Sequence, residues 1–290
     1  MYTITGVTGH VGAATAKELL DRGEEVRAVV RNPGKAEDWE KQGAEVAVAD
    51  SRDRTALAQA LRGSDGVFIM MPTFETAGDA EHRQLGDSIA GAVADSGVPH
   101  VVLLSSIGAE LPDGTGPIRW LHHLEDGLSR TGAVVSGIRS WHFQEKVEDV
   151  LGVALEAGIY PVFGEDPDVP TPMVATRDIG KFAAEALLAP PARSEVIDLH
   201  GPEYTEREVA DQLAATLGKA LEVVALPRAA WEGAMLEAGL PAPFARELAA
   251  LYAAAEQGVF RSCGDRQVLC TTPIDETLNH VVAAARLPAA

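Results

Sequence analysis

The feature that most restricts this chain lies at its start. The apolar run Tyr2-Thr3-Ile4-Thr5 feeds Gly6-Val7-Thr8-Gly9-His10-Val11-Gly12, and a helical pattern follows from Ala13 to Arg22. A second apolar run, Val26 to Val30, then closes at Arg31. Strand, glycine turn, helix and strand in that order form a βαβ unit of dinucleotide-binding type. Gly6 releases the chain from the strand in a tight turn, Gly9 lets the backbone approach a pyrophosphate with no Cβ in the way, and Gly12 lets helix and strand pack closely. The helix N-terminus, with its unpaired N–H groups and the positive end of its dipole, then faces the phosphates. In a chain of 28 glycines this spacing alone means little, and the flanking strand and helix make it specific. Gly6, Thr8, Gly9, His10, Val11 and Gly12 are the expected cradle.

The residue at the end of the second strand selects the nucleotide. A carboxylate there would accept from the ribose hydroxyls of NAD, whereas an arginine grips the 2′-phosphate of NADP. The position holds Arg31, with Lys35 one helical turn further on. NADP is therefore the expected cofactor, with NAD the lesser alternative.

Apolar strands and helical segments keep alternating beyond this unit. Strands are expected at 44–49, 66–71, 100–104 and 133–138, with helices at 35–42, 55–61, 80–96 and 117–130 between them. Apolar strands alternating with helices imply an α/β fold, a doubly wound parallel sheet covered on both faces. Ligands in such a sheet lie beyond the carboxyl ends of the strands. That edge comprises Gly6 to Gly12, Arg31, Asp50, Met71-Pro72-Thr73, Ser105-Ser106 and Arg139 to Phe143. Past residue 150 the alternation weakens and prolines gather, as in Asp166-Pro167-Asp168-Val169-Pro170-Thr171-Pro172. Residues 1–150 are thus read as the nucleotide-binding domain. Residues 151–290 are read as a smaller, mostly helical cap, of which about 174–200 returns to the sheet. A helix from Thr176 to Leu188 carries Asp178 in its first turn, where a carboxylate suits the dipole.

Composition narrows the partners. A net charge of −19 and the absence of any long Lys/Arg cluster argue against nucleic acid. Two cysteines, Cys263 and Cys270, make neither a disulfide framework nor a zinc site. The histidines lack His-Glu-x-x-His spacing, so no metal is assigned, and no Gly-x-Ser-x-Gly elbow supports a hydrolase. A first strand at residue 2 is read as leaving no room for a signal peptide, and no apolar stretch is long enough to span a bilayer. The expectation is a cytoplasmic protein, with no membrane partner and with room for a homodimer.

The opening Gly-x-x-Gly-x-x-Gly, Arg31-Asn32-Pro33, Ser105-Ser106-Ile107-Gly108-Ala109, Leu121-His122-His123-Leu124-Glu125, Arg139 and Val174-Ala175-Thr176-Arg177-Asp178-Ile179 resemble the NmrA-like family of atypical short-chain dehydrogenases. The resemblance covers nearly the whole chain. It implies a Rossmann lobe, a small C-terminal lobe and NADP or NAD binding. It also implies kinship both with quinone and dye reductases and with redox sensors that bind the nucleotide without turning it over. Carried over from the family, Asp50 reads the adenine amino group; Met71 and Pro72 are expected to border the cofactor from their place on the carboxyl edge. Two departures stand out. None of the four tyrosines, Tyr2, Tyr160, Tyr204 and Tyr252, precedes a lysine by four residues, so the usual phenol acid is missing. Arg139 is followed by Ser140 where many members have proline, and Lys146 stands where they have asparagine.

Hydride transfer needs mainly that donor and acceptor be held face to face, and a weak proton donor then suffices for a quinone. His122 and His123, on the helix after Ser105-Ser106, are the candidate donors, and adjacent helical positions allow at most one of them to serve. Ser105 is a third catalytic candidate and also a cofactor contact. Ser106, Trp120, Trp141, His142 and Phe143 are the candidate substrate residues. Aromatics are 5% of the chain, so three beside one edge suggest a flat slot for a planar ring. Glu145 stands close enough in sequence to pair with Arg139 or the ribose, but no role is assigned to it. The expectation is an NAD(P)H-dependent oxidoreductase acting on a quinone or a planar polycyclic aromatic carbonyl compound, aromatic polyketides included, with an oxygen-using variant that gives net hydroxylation. The alternative is a non-catalytic NADP-binding sensor that acts through a protein partner.

Overall fold

The computed structural model describes residues 1–285. In chain order the elements are β1 (Tyr2–Ile4), α1 (His10–Asp21), β2 (Val26–Val30), α2 (Ala36–Glu40), β3 (Glu45–Val48), α3 (Arg54–Leu61), β4 (Gly66–Met70), α4 (Asp79–Ser96), β5 (His100–Ser106), α5 (Ile118–Ser129) and β6 (Val134–Ser140). There follow β7 (His142–Phe143), α6 (Glu148–Ala157), β8 (Ile159–Val162), β9 (Thr171–Val174), α7 (Thr176–Leu188), β10 (Glu195–His200), β11 (Glu203–Tyr204), α8 (Glu206–Leu217), β12 (Glu222–Ala225), α9 (Trp231–Glu237), α10 (Ala242–Glu256), β13 (Arg266–Leu269) and α11 (Ile274–Ala285).

Eight strands form one parallel sheet in the order β13-β10-β6-β5-β4-β1-β2-β3. Strand order reverses at β1, which places the crevice for a ligand beyond its carboxyl end. Side-chain alternation sorts the strands between two cores. Ile4, Phe68, Val102, Ile138 and Leu199 pack with Val11 and Leu19 of α1 and Ile179, Ala183 and Leu187 of α7. Val67, Ile69, Val101 and Leu103 point the other way, onto Leu57 and Leu61 of α3, Leu85 and Ile89 of α4, and Leu124 and Leu128 of α5. Helices therefore cover both faces, the doubly wound α/β arrangement. Helices α1 and α7 approach so closely that a Cβ on Gly180 would lie 2.4 Å from the Cβ of Ala14.

The C-terminal half is mostly helical, with most of α6 and all of α7 to α11, and adds short strands. It carries two small sheets, β11-β9-β7 and β12-β8. Their core joins Val147, Leu151, Tyr160, Met173, Leu213 and Leu278. Both β10 and β13 extend the main sheet, although the sequence reading leaves residues 266–269 in the cap. Asp178 stands in the first turn of α7, where the sequence reading puts it. Its carboxylate accepts from the backbone N–H and hydroxyl of Thr272. The start of α7 is held by Glu145, which accepts from the backbone N–H and hydroxyl of Thr176.

Candidate active site at the carboxyl edge of the sheet

The turn after β1 has the geometry its glycines require. Gly6 adopts φ +66°, and a Cβ on Gly12 would stand 2.3 Å from the Gly6 carbonyl oxygen. Gly9 caps α1 with no side-chain hydrogen bond, and its first turn holds no acidic residue. The leading N–H groups are thus left without a side-chain acceptor beside a turn where a side chain would not fit, a setting suited to a pyrophosphate. Thr8, Gly9 and His10 are exposed, whereas Val11 and Gly12 are buried. His10 Nε2 lies 3.0 Å from Glu148 Oε2, so the turn touches the start of α6.

Arg31 and Lys35 are both exposed after β2. Asp50 follows β3, and Arg52 grips it through Nε to Oδ1 (3.0 Å) and Nη2 to Oδ2 (2.6 Å). That fork, with the Arg31 charge adding to it, holds the Asp50 carboxyl below the usual carboxylate range. Met71 and Pro72 follow β4 and are half-buried.

The opposite end of the edge holds a connected polar cluster. Ser105 and Arg139 are register partners on β5 and β6. Helix α5, which joins those strands, turns Glu125 toward both. Ser105 Oγ donates to Glu125 Oε1 (2.5 Å), and Arg139 donates through Nε to Oε1 (3.0 Å) and Nη2 to Oε2 (2.6 Å). Nη1 of Arg139 reaches Glu110 Oε2 at 3.0 Å and lies 3.5 Å from Cys263 Sγ. Charge-assisted pairs of this kind fix all their members. Burial and the Glu110 charge push the Cys263 thiol up, and burial with Asp178 pushes Cys270 up to about 12, so neither is an activated nucleophile.

This cluster decides what the serines offer. The Ser105 proton is committed to Glu125, and Ser106 Oγ donates to the Ile107 carbonyl oxygen at 3.0 Å. Each hydroxyl keeps lone pairs, so each can accept from an amide but has no proton to spare. His122 lies three residues before Glu125 on α5, on the same face. Its Nδ1 is 2.9 Å from the Ala109 carbonyl oxygen, an acceptor only, so Nδ1 carries a proton and Nε2 is left outside that bond. His123 points elsewhere, with Nε2 2.7 Å from Asp87 of α4.

The expected aromatic slot is not assembled as one. Trp120 is buried, its ring stacked on His82 at 3.6 Å and its Nε1 donating to Asp79 Oδ1. Trp141 and Phe143 pack on the α1/α7 side of the sheet, and Trp141 faces His200 at 5.9 Å. Trp120 belongs to the helix layer on the other side, so sequence proximity to the edge misled. Trp141 Nε1 is buried and has no partner among the described residues. His142 is exposed and pairs with Met173 between β7 and β9. Lys146 donates to Asp149. The Arg139 partners are Glu125 and Glu110, not Glu145. Arg52, Glu110 and Glu125 were not singled out by sequence reasoning. The β5–β6 register, which sets Ser105 beside Arg139 beneath the helix that links them, was the signal available. Among the described residues no group of three or more His, Cys, Asp or Glu side chains could hold a metal, and no helix is long and apolar enough to cross a membrane.

Known proteins share this architecture. A family of NAD(P)H-binding domains matches residues 6–133. The (4-alkanoyl-5-oxo-2,5-dihydrofuran-3-yl)methyl phosphate reductase of Streptomyces griseus is 32% identical over 76% of this chain and 75% of its own. An NmrA-like family domain-containing oxidoreductase of Aspergillus japonicus is 38% identical over 58% of this chain and 53% of its own. The crystal structure of the NADPH-dependent quinone oxidoreductase QOR2 of Escherichia coli, complexed with NADPH, superposes with a TM-score of 0.82 at 24% identity, covering 97% of this chain and 100% of that one.

Proposed function

The chain belongs to the NmrA-like family of atypical short-chain dehydrogenases and is an NAD(P)H-dependent oxidoreductase; from that premise we propose that it reduces a quinone or a related planar, polycyclic aromatic carbonyl compound, with NADPH the preferred donor. One observation carries this reading. At the carboxyl ends of β5 and β6, Ser105, Glu125 and Arg139 lock together, and His122 stands one turn away with Nδ1 anchored and Nε2 free of that anchor.

The nucleotide supplies the hydride when bound. The residues do the remaining work. Gly6 to Gly12 and the α1 terminus hold the pyrophosphate, and Arg31 and Lys35 take the 2′-phosphate. Met71 and Pro72 border the nucleotide. Ser105 and Ser106 accept from the carboxamide with the lone pairs left after their own donations. His122 donates through Nε2 to the oxygen that gains charge as the acceptor carbon is reduced, which a quinone makes easy by delocalisation. Trp141, His142 and Phe143 bound the substrate from the β6 side. A reduced hydroquinone meeting oxygen there would give the hydroxyquinone, one oxygen atom entering the ring and the other leaving as water with the two electrons and two protons that the hydroquinone gained on reduction; an anthrone and oxygen would likewise give the quinone and water.

The test is oxidation of NADPH and of NADH by a panel of quinones and polycyclic aromatic ketones, with oxygen uptake recorded alongside. Quinone-dependent turnover that prefers NADPH is expected. Arg31→Ala should lose about tenfold or more in kcat/KM for NADPH and little for NADH, as removal of a phosphate-gripping arginine does. Tight NADPH binding with no acceptor turned over would overturn the reductase reading and leave the sensor.

A further inference from the structure

Phe74 sits four residues beyond the end of β4, and two guanidinium groups face its ring. The carbon at the centre of the Arg52 guanidinium is 4.8 Å from the ring centroid and that of Arg31 is 5.8 Å away. The three residues follow β2, β3 and β4, so loops from three strands meet at one point on the carboxyl edge.

The meeting point is rigid. The Phe74 ring packs on the core beneath α3 and α4. Its backbone N–H donates to His82 Nε2 at 3.2 Å, and its carbonyl oxygen accepts from Ala77 N–H at 2.8 Å. His82 is itself fixed, since Nδ1 donates to the Gly78 carbonyl oxygen at 2.8 Å and its ring lies against Trp120. Arg52 is held as firmly. Its backbone N–H donates to Asp50 Oδ1 at 2.9 Å, and its Nε and Nη2 fork onto the same carboxylate. A long exposed side chain ordinarily samples many rotamers, and this one has three anchors and a ring behind it. The group is still 63% exposed, so a flat face is held open to solvent.

We infer that Arg52 is a nucleotide-recognition residue, a planar platform backed by Phe74 and set by Asp50, on which the adenine ring of the cofactor stacks while Arg31 takes the 2′-phosphate. The inference rests on the nucleotide reading above. It also gives Asp50 a second part: its oxygens set the Arg52 guanidinium, and the carboxylate keeps a lone pair with which to accept from the adenine amino group. Adenine presents a π-face to such a plane irrespective of the 2′-phosphate, so Arg52 serves NADPH and NADH alike.

The experiment is equilibrium binding of NADPH, NADH, 2′,5′-ADP and 5′-AMP, followed by calorimetry without any acceptor, on the full chain and on Arg52→Ala, Arg52→Lys and Arg31→Ala. Arg52→Ala should weaken all four ligands by a similar factor, about fivefold. Arg52→Lys should behave like Arg52→Ala, because the charge stays and the plane is lost. Arg31→Ala should weaken NADPH and 2′,5′-ADP selectively. Melting temperatures within a degree or so of the unsubstituted chain, expected at an exposed position, exclude a folding defect. Selective loss of NADPH in Arg52→Ala, rescue by lysine, or unchanged affinities would each overturn the inference while leaving the nucleotide reading intact. A wild-type chain that binds none of the four would overturn both.

Discussion

Replacing Arg139 by methionine leaves Glu125 and Glu110 facing one another across the space the guanidinium filled. Arg139 is 8% exposed at its side chain, Glu125 17% and Glu110 28%. Three charge-assisted hydrogen bonds are lost, two to Glu125 and one to Glu110. Removing one member of a buried pair costs about 3–5 kcal/mol, whereas exposed pairs contribute about 0–1 kcal/mol. Both carboxylates keep some access to water, so the lower end applies and the expected loss is about 3 kcal/mol. With about 2.1 cal/mol/K per residue, unfolding 290 residues releases about 0.6 kcal/mol/K, so Tm should fall by about 5 °C. Urea unfolding followed by tryptophan fluorescence measures the loss directly. Adding Glu125→Leu removes the stranded charge, so the double variant should be less destabilised than the sum of the two single ones by about 2 kcal/mol. An Arg139→Met protein within 1 kcal/mol of wild type, or strict additivity in the cycle, would refute the idea that the cluster is a desolvated, interdependent unit.

Three further outcomes follow from burial and packing. His100 is buried at the start of β5 with Nε2 3.1 Å from Ser136 Oγ and Nδ1 unpartnered among the described residues, and burial lowers its pKa against a weaker opposing pull from Glu195. Between its folded pKa and the ordinary value of about 6.5 the unfolded chain binds more protons, so stability should fall as pH drops below about 6.5. His100→Gln should flatten that slope in urea titrations across the range, and an unchanged slope would clear this residue. At the α1/α7 contact, Gly180→Ala would set a Cβ 2.4 Å from Ala14 Cβ and 2.9 Å from Thr15 N, and should cost about 1–3 kcal/mol by chemical denaturation. Gly152→Ala on α6, where nothing lies within 4 Å, should be neutral or gain about 0.5–1 kcal/mol.

The nucleotide end of the molecule is legible because its determinants are local. Three glycines, one helix start and one strand end are fixed by spacing within thirty residues, and the apolar runs that mark β2, β4, β5 and β6 are short, continuous and bounded by turns. Strand β13 escapes the same reading. It is an edge strand of Arg266-Gln267-Val268-Leu269 with three of its four residues exposed, so it carries no apolar signal. The two-residue strands β7 and β11 are too short to show a period. At the ends of β5 and β6, Glu125 and Arg139 stand fourteen positions apart on a helix and a strand, and only the folded arrangement shows that they meet. Sequence neighbourhood suggested Glu145 for that role, but six residues beyond Arg139 the chain has left the sheet, and Glu145 caps α7 instead. Asp50 and Arg52 are two apart in one turn, an arrangement that loop chemistry allows but does not announce.

Helix α5 connects the two ends. Its inward face carries Glu125 and His122 toward the ends of β5 and β6. Its first turn carries Trp120, stacked 3.6 Å from His82 with the ring planes 3° apart. His82 in turn accepts the Phe74 N–H, and Phe74 backs the Arg31 and Arg52 guanidinium groups. Arg119 then ties that turn to Asp79 of α4 and to Glu247 of α10, in pairs half-buried on the Arg119 side. Aromatic scarcity made Trp120 look like a wall for a planar substrate. Its place in this chain of contacts gives it a different physical task, because a buried stacked pair resists rotation and so fixes the loop after β4 relative to the helix that holds the proton-bearing groups. Hydride transfer requires the two rings to be presented at a set separation, and a helix braced at its first turn and at Glu125 would set the proposed nucleotide platform and the proposed proton donor on a common frame.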